Sequence, residues 1–238
     1  QLISRVDWHW TFILISIPSL VLAILCLVMV KERKSAHKVN VLQQQAKTPI
    51  WELFKYRNII FCVLISISCM SAYWILMAFG PVYLTSIGNY SVEAMGLVFS
   101  VMGIAGILAA ISLPLLSDYS GRKKVLVVFG FLAMVAPLSL YLFPTSWVGI
   151  VGLILFGPLL GSLIPIYVNI IPEESLPATL ITTASAFIIG VGEIGGSLVL
   201  GAAGTLSNTF GLPFVLLVGA SGAVLLALLS LALTETRK

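Results

Sequence analysis

Residues 116–124 read Leu-Ser-Asp-Tyr-Ser-Gly-Arg-Lys-Lys and separate two long apolar stretches. Asp118 falls near the predicted C-terminal end of a helix, where the helix dipole disfavours a carboxylate. We therefore expect it to pair with a cation such as Arg122 or with the N-terminus of another helix. Gly121 permits the chain to reverse, and the basic run 122–124 is suited to lipid head groups. The segment predicts a short charged turn between two membrane-spanning helices.

The composition on either side of this turn is that of a membrane protein. Hydrophobic residues make up 59% and charged residues 9% of the chain, whereas soluble domains carry roughly 25% charged residues. Apolar stretches of about 20 residues, the length of one bilayer crossing, recur between short turn-forming segments. We predict an all-α polytopic membrane protein with about seven transmembrane helices, at 10–30, 58–84, 92–116, 125–143, 148–171, 178–203 and 212–233.

The basic residues are distributed according to topology. Of the 13 Lys and Arg residues, all except Arg5 lie in 31–57, 122–124 or 237–238. Because basic residues in short loops stay on the cytoplasmic side, we expect a cytoplasmic-membrane protein with these three segments inside and the start of the chain outside. The net charge of +4 then reflects insertion into the membrane, and we expect no nucleic-acid partner.

The segment 116–124 closely resembles the cytoplasmic loop motif of the major facilitator superfamily, Gly-x-x-x-Asp-Arg-x-Gly-Arg-Lys/Arg, found between the eighth and ninth helices. Pro114 stands where the motif has its leading Gly, and Tyr119 replaces the Arg after the Asp. The resemblance implies a six-helix transporter half. It also implies that a gating motif is formed by Asp118, Gly121, Arg122 and Lys123.

Four further segments resemble parts of the same superfamily in matching order. Residues 8–12 are similar to the Trp-Arg-Trp-x-Phe start of the sixth helix, and 31–57 to the basic linker between the two halves. Residues 172–177 resemble the acidic connection between helices ten and eleven of sugar and organic-acid porters, and 234–237 resemble the Pro-Glu-Thr-Lys/Arg end of helix twelve. The resemblance implies a sixth helix at 1–30, a cytoplasmic linker at 31–57 and a C-terminal transport domain at 58–238. The chain then looks cut from a longer protein, and the other N-terminal helices are expected partners.

Polar residues within the predicted spans are the candidates for a transport site. Glu193 is the one acid predicted deep in the membrane, where an unpaired carboxylate is costly. It is either a proton-coupling or substrate-contacting group or a structural acid bonded to neighbouring helices. Tyr73 and Trp74 are candidate substrate-cavity residues, with packing as the alternative. Tyr167 and Asn169 are further candidate substrate-cavity residues.

Glycine is abundant in two of the predicted spans, which favours close helix packing because small residues let transmembrane backbones approach one another. In the predicted eleventh helix these residues are Gly190, Gly192, Gly195, Gly196, Gly201 and Gly204.

These features favour a secondary active transporter working by alternating access. We expect it to move a small organic solute, a sugar or an organic acid, together with protons. The alternatives are a multidrug efflux transporter of the same fold and a heptahelical receptor. The sequence offers no catalytic triad, no nucleotide-binding loop and no metal-ligand grouping, so we expect neither an enzyme nor a cofactor.

Overall fold

The computed structural model describes residues 8–29 and 50–236, and these ranges contain helices and no β-strand. The chain divides into two compact units, 1–44 and 45–238. In the first unit, helix α1 spans Trp8–Met29, and its described side chains include the apolar stretch Ser16–Met29. The predictions for Arg5, for linker residues 31–49 and for 237–238 lie outside the described residues.

The second unit is a bundle of long apolar helices. A short 3₁₀ helix, Ile50–Lys55, precedes it. Within the described residues, six segments are long and apolar enough to cross a membrane, which confirms the all-α polytopic class. The helices are α2 (Arg57–Ser86), α3 (Val92–Ser120), α4 (Arg122–Ala133), α5 (Val135–Leu142), α6 (Trp147–Pro165), α7 (Ile171–Ser175), α8 (Ala178–Phe210) and α9 (Leu212–Leu231).

Two of the six segments are interrupted, and each interruption lies a few residues before a proline. The predicted span 125–143 divides into α4 and α5 after Ala133. In an unbroken helix the Ala133 carbonyl would accept a hydrogen bond from the N–H of residue 137, which is a proline. Proline has no N–H, and its ring crowds that carbonyl. A π-helical turn, Ile166–Ile170, joins α6 to α7. It lies just before Pro172, which cannot donate to the helical ladder.

Several helices extend beyond the predicted spans. Helix α3 continues to Ser120 and α8 to Phe210, whereas hydropathy predicted ends at 116 and 203. Hydropathy detects only the part of a helix that is apolar enough for the bilayer. The backbone hydrogen bonds continue into the polar turns beyond it.

Helix packing brings α2 into its most extensive contacts with α8 and α9, and α3 into contact with α6. Glycines in α8 allow this helix to pack closely against α2. A Cβ placed on Gly192 would lie 2.0 Å from Ser66 Oγ, and one on Gly196 would lie 2.7 Å from Met70 Cβ. These two glycines therefore confirm close packing, whereas a Cβ on Gly190 would meet no atom within 4 Å.

Candidate functional site

Arg122, the first residue of α4, is the centre of a charged cluster at one end of the bundle. Its Nη1 lies 2.5 Å from Asp118 Oδ1 and donates to Ser117 Oγ at 2.6 Å. Its Nε and Nη2 donate to Glu174 Oε1 at 3.1 and 2.9 Å. The Arg122 side chain is 10% exposed and that of Asp118 is 50% exposed. The expected pairing of Asp118 with Arg122 is therefore confirmed, and the guanidinium is shared with a second carboxylate.

Glu235 caps the start of α4. Its two carboxylate oxygens accept from the backbone N–H groups of Arg122 and Lys123, at 2.9 and 3.3 Å. A carboxylate here is favourable because the first N–H groups of a helix have no intrahelical partner and the dipole is positive. Gly121 makes the approach possible, since its φ is +99° and a Cβ would lie 2.6 Å from Glu235 Oε2.

Asn58 ties the start of α2 to the same region. Its side-chain oxygen accepts from the Thr234 N–H and hydroxyl at 3.0 and 2.7 Å, and its amide donates to the Thr234 carbonyl at 3.2 Å. The Thr236 hydroxyl donates to Glu174. The turn after α3, the end of α7 and the segment after α9 are thus joined by hydrogen bonds at one end of the bundle.

The structure brings together the four residues predicted from the loop motif, and it adds two carboxylates that the sequence analysis did not name as site residues. Glu174 and Glu235 lie 52 and 113 positions from Arg122. Their sequence segments, 172–177 and 234–237, resemble other parts of the same superfamily, and this resemblance could have indicated that both carboxylates belong to the site.

Glu193 lies midway along α8 and is half-buried. The Trp74 indole Nε1 donates to its Oε2 at 2.8 Å. The Trp74 ring also packs edge-on against Tyr73, with ring centroids 5.4 Å apart and an interplanar angle of 72°. The carboxylate is therefore bound to the middle of α2, and the two aromatic candidates are brought next to it.

Beside this aromatic pair is an open cavity of about 230 Å³, which we call the midspan cleft. It lies between the middle parts of α2, of α3 and of the span Trp147–Ser175, which begins with α6. Among the described residues, none that lines it is charged. The lining residues are Tyr73, Met77, Met102, Gly103, Gly106, Ala110, Pro158, Gly161 and Ser162.

Tyr167 and Asn169 are placed elsewhere. Tyr167 is fully buried near Ser66 and Cys69. The hydroxyls of Tyr167 and Ser66 are buried without a hydrogen-bond partner among the described residues. The side chain of Asn169 is exposed. Neither Tyr167 nor Asn169 lines the midspan cleft.

Within the described residues, no three or more His, Cys, Asp or Glu side chains are grouped closely enough to hold a metal ion. Cys62 and Cys69 are free and buried, and the Cys69 thiol donates to the Leu160 carbonyl at 3.2 Å. Both cysteines pack inside the bundle.

Long apolar helices, a carboxylate held at mid-helix and a charged cluster at one end are the features of a polytopic membrane transporter. The protein-family model of the Major Facilitator Superfamily matches residues 1–200 of the sequence, so the chain belongs to that superfamily. No curated protein matches the chain. The superfamily consists of transporters, which separates the chain from both enzymes and heptahelical receptors.

Proposed function

We propose that the chain forms the C-terminal half of a proton-coupled secondary transporter that works by alternating access. In this proposal, residues 1–30 supply the sixth helix, 31–57 the cytoplasmic linker and 58–238 the six-helix transport domain. The remaining N-terminal helices form the opposite wall of the solute pathway. The family membership and the order of the spans support this arrangement.

The observation that carries the coupling proposal is that Glu193, at mid-helix, is only partly buried although Trp74 donates to its carboxylate. A carboxylate at mid-helix is unfavourable in a membrane unless it is paired, hydrated or protonated. Here it accepts from one fixed donor and stays partly exposed, which supports exchange of a proton with its surroundings. A site with these properties couples proton uptake and release to the transport cycle. Substrate contact by Tyr73 and Trp74 belongs to the same proposal.

The test is uptake by vesicles that contain the full-length transporter, with and without an imposed proton gradient. The panel contains sugars, carboxylates and drugs. Glu193→Gln keeps the shape of the side chain and an acceptor for Trp74 but cannot take up a proton. We expect it to abolish gradient-driven uptake while solute binding is retained. Glu93→Gln, an exposed acid at the start of α3, is the matched control and should leave uptake unchanged.

We also propose that Asp118, Gly121, Arg122 and Lys123 act as a gate at the cytoplasmic end. Asp118 is half-exposed while paired with Arg122, which leaves carboxylate surface for a second partner. By the family's pseudo-symmetry, that partner is the N-terminus of the fifth helix when the inner gate is closed. The arrangement supports opening and closing through exchange of ion pairs.

The distribution of basic residues supports a cytoplasmic-membrane location, with the linker and the C-terminus inside and the start of the chain outside. For the solute, the resemblance of 172–177 supports a sugar or an organic acid. The apolar lining of the midspan cleft supports the second candidate, efflux of drug-like compounds.

A further inference from the structure

We infer that the midspan cleft binds an apolar group about the size of one aromatic ring, so that the transported solute carries an aromatic or compact branched substituent. This inference rests on the proposed transport function. It adds the chemical class of the solute and a binding position on α2, α3 and α6.

The volume of the cleft sets the size of its occupant. Its volume is about 230 Å³. A protein cavity of about 150 Å³ is large enough for benzene, whereas sites that enclose a whole drug-sized ligand usually have about 300–1,000 Å³. The cleft therefore fits one ring or one branched alkyl group, and the rest of the solute lies outside it.

The lining selects for apolar groups. Met77 and Met102 provide two thioethers, which make favourable contacts with aromatic rings. The Ser162 hydroxyl donates to the Pro158 carbonyl at 2.9 Å, so its proton is already used. A sugar ring placed in the cleft would lose several hydrogen bonds to water, and the lining could replace few of them because its polar side chains are those of Tyr73 and Ser162. An aromatic ring would lose none.

The cleft is connected to Glu193 through the aromatic pair. Tyr73 forms part of the cleft wall, and its ring packs edge-on against Trp74. Trp74 in turn donates to the Glu193 carboxylate. An amphipathic solute with its apolar group in the cleft would have its polar end near this pair. Binding of a solute in the cleft is thereby linked to protonation of Glu193 through two contacts, Tyr73 with Trp74 and Trp74 with Glu193.

Glycines keep the cleft open, and they also make it testable. A Cβ on Gly103 would meet no atom within 4 Å. One on Gly106 would lie 3.8 Å from Pro158 Cβ, and one on Gly161 would lie 3.5 Å from Tyr73 Cε2, both ordinary contacts. Alanine at these positions therefore fits without moving its neighbours and takes space from the cleft.

The experiment measures uptake by the full-length transporter in proteoliposomes, using three pairs of solutes. Each pair shares a polar group and differs by a phenyl ring: methyl and phenyl glucoside, acetate and phenylacetate, ethylamine and phenethylamine. We expect the phenyl member of one pair to be carried in preference to its partner. For that solute, the Gly103→Ala, Gly106→Ala double variant should raise KM about tenfold or more, the effect of misfitting a hydrophobic pocket by a methyl group or two.

Two further variants make the result specific. Gly161→Ala narrows the cleft from the opposite wall and should raise KM in the same direction. Gly96→Ala, on the same helix α3, adds a methyl group where no atom lies within 4 Å and outside the cleft lining. It should leave KM unchanged.

The outcomes separate this inference from the proposed function. Gradient-driven uptake of a solute without a ring, with KM unchanged in all the alanine variants, would overturn the inference and leave proton-coupled transport standing. Preferred uptake of a phenyl solute, with KM raised in the double variant but a rate that the proton gradient does not change, would refute the proposed proton coupling and leave the inference standing. Preference for a phenyl solute with equal KM in the double variant and in Gly96→Ala would also overturn the inference.

Discussion

The sharpest prediction concerns Gly121, which joins α3 to α4 within the charged cluster. Its φ of +99° is a conformation that only glycine adopts easily, and a Cβ would lie 2.6 Å from Glu235 Oε2. Gly121→Ala therefore combines backbone strain with expulsion of a carboxylate from the start of α4. We expect a loss of stability larger than that caused by backbone strain alone.

Gly211, between α8 and α9, provides a matched control. Its φ is +83° and its ψ is 163°, close to the values of 99° and 143° at Gly121. The nearest neighbour of an added Cβ would be Pro213 Cδ at 3.6 Å, an ordinary contact. The loss of stability in Gly211→Ala therefore measures the backbone strain alone, which we expect to be about 1–3 kcal/mol.

The difference between the two variants gives the contribution of Glu235. A carboxylate at a helix N-terminus contributes about 0.3–1 kcal/mol at exposed sites and up to about 2 kcal/mol when partly buried. Since Glu235 is exposed, we expect Gly121→Ala to be the less stable of the two variants by about 1 kcal/mol. The Tm of Gly121→Ala should therefore lie below that of Gly211→Ala, by less than the roughly 2–4 °C typical of 150–250 residues, because the full-length transporter is larger.

The assay is thermal unfolding of the purified full-length transporter in detergent at one fixed scan rate. In a Glu235→Ala background the two glycine variants should lose equal stability, because the carboxylate that Gly121→Ala displaces is already absent. Two results would refute the capping role of Glu235. One is an equal loss of stability in Gly121→Ala and Gly211→Ala when Glu235 is present. The other is a larger loss in Gly121→Ala that persists in the Glu235→Ala background.

Two other predictions concern the contact of α8 with α2, measured in the same detergent preparation, and the gate at Asp118, measured as uptake by proteoliposomes. Gly192→Ala should destabilise the bundle by about 1–3 kcal/mol, as overpacking of a tight contact does, whereas Gly190→Ala should leave Tm nearly unchanged; equal Tm values in the two variants would contradict the close contact of α8 with α2. Asp118→Asn should slow transport because the ion pair with Arg122 is weakened, and solute binding measured at equilibrium should be retained. Native transport rates in this variant would contradict the gate, and loss of binding would indicate a structural role instead.

Much of the fold was predictable because hydropathy and loop charge are local properties of the chain. The spans at 58–84 and 212–233 correspond to α2 and α9, since a run of apolar residues must form a helix to satisfy its backbone in a bilayer. The break after Ala133 was not predicted, because Pro137 lies inside an otherwise continuous apolar run. Hydropathy carries no information about a missing N–H group.

The sequence by itself determined the class of protein, the charged turn at 116–124 and the mid-helix position of Glu193. Only the tertiary structure decided what these groups contact. Glu235 lies 113 positions from Arg122, and Trp74 lies 119 positions from Glu193. Such partners are chosen by the packing of whole helices, as where the small residues of α8 let α2 approach. Local sequence patterns specify each helix, but a hydrogen bond between two helices depends on the geometry of both.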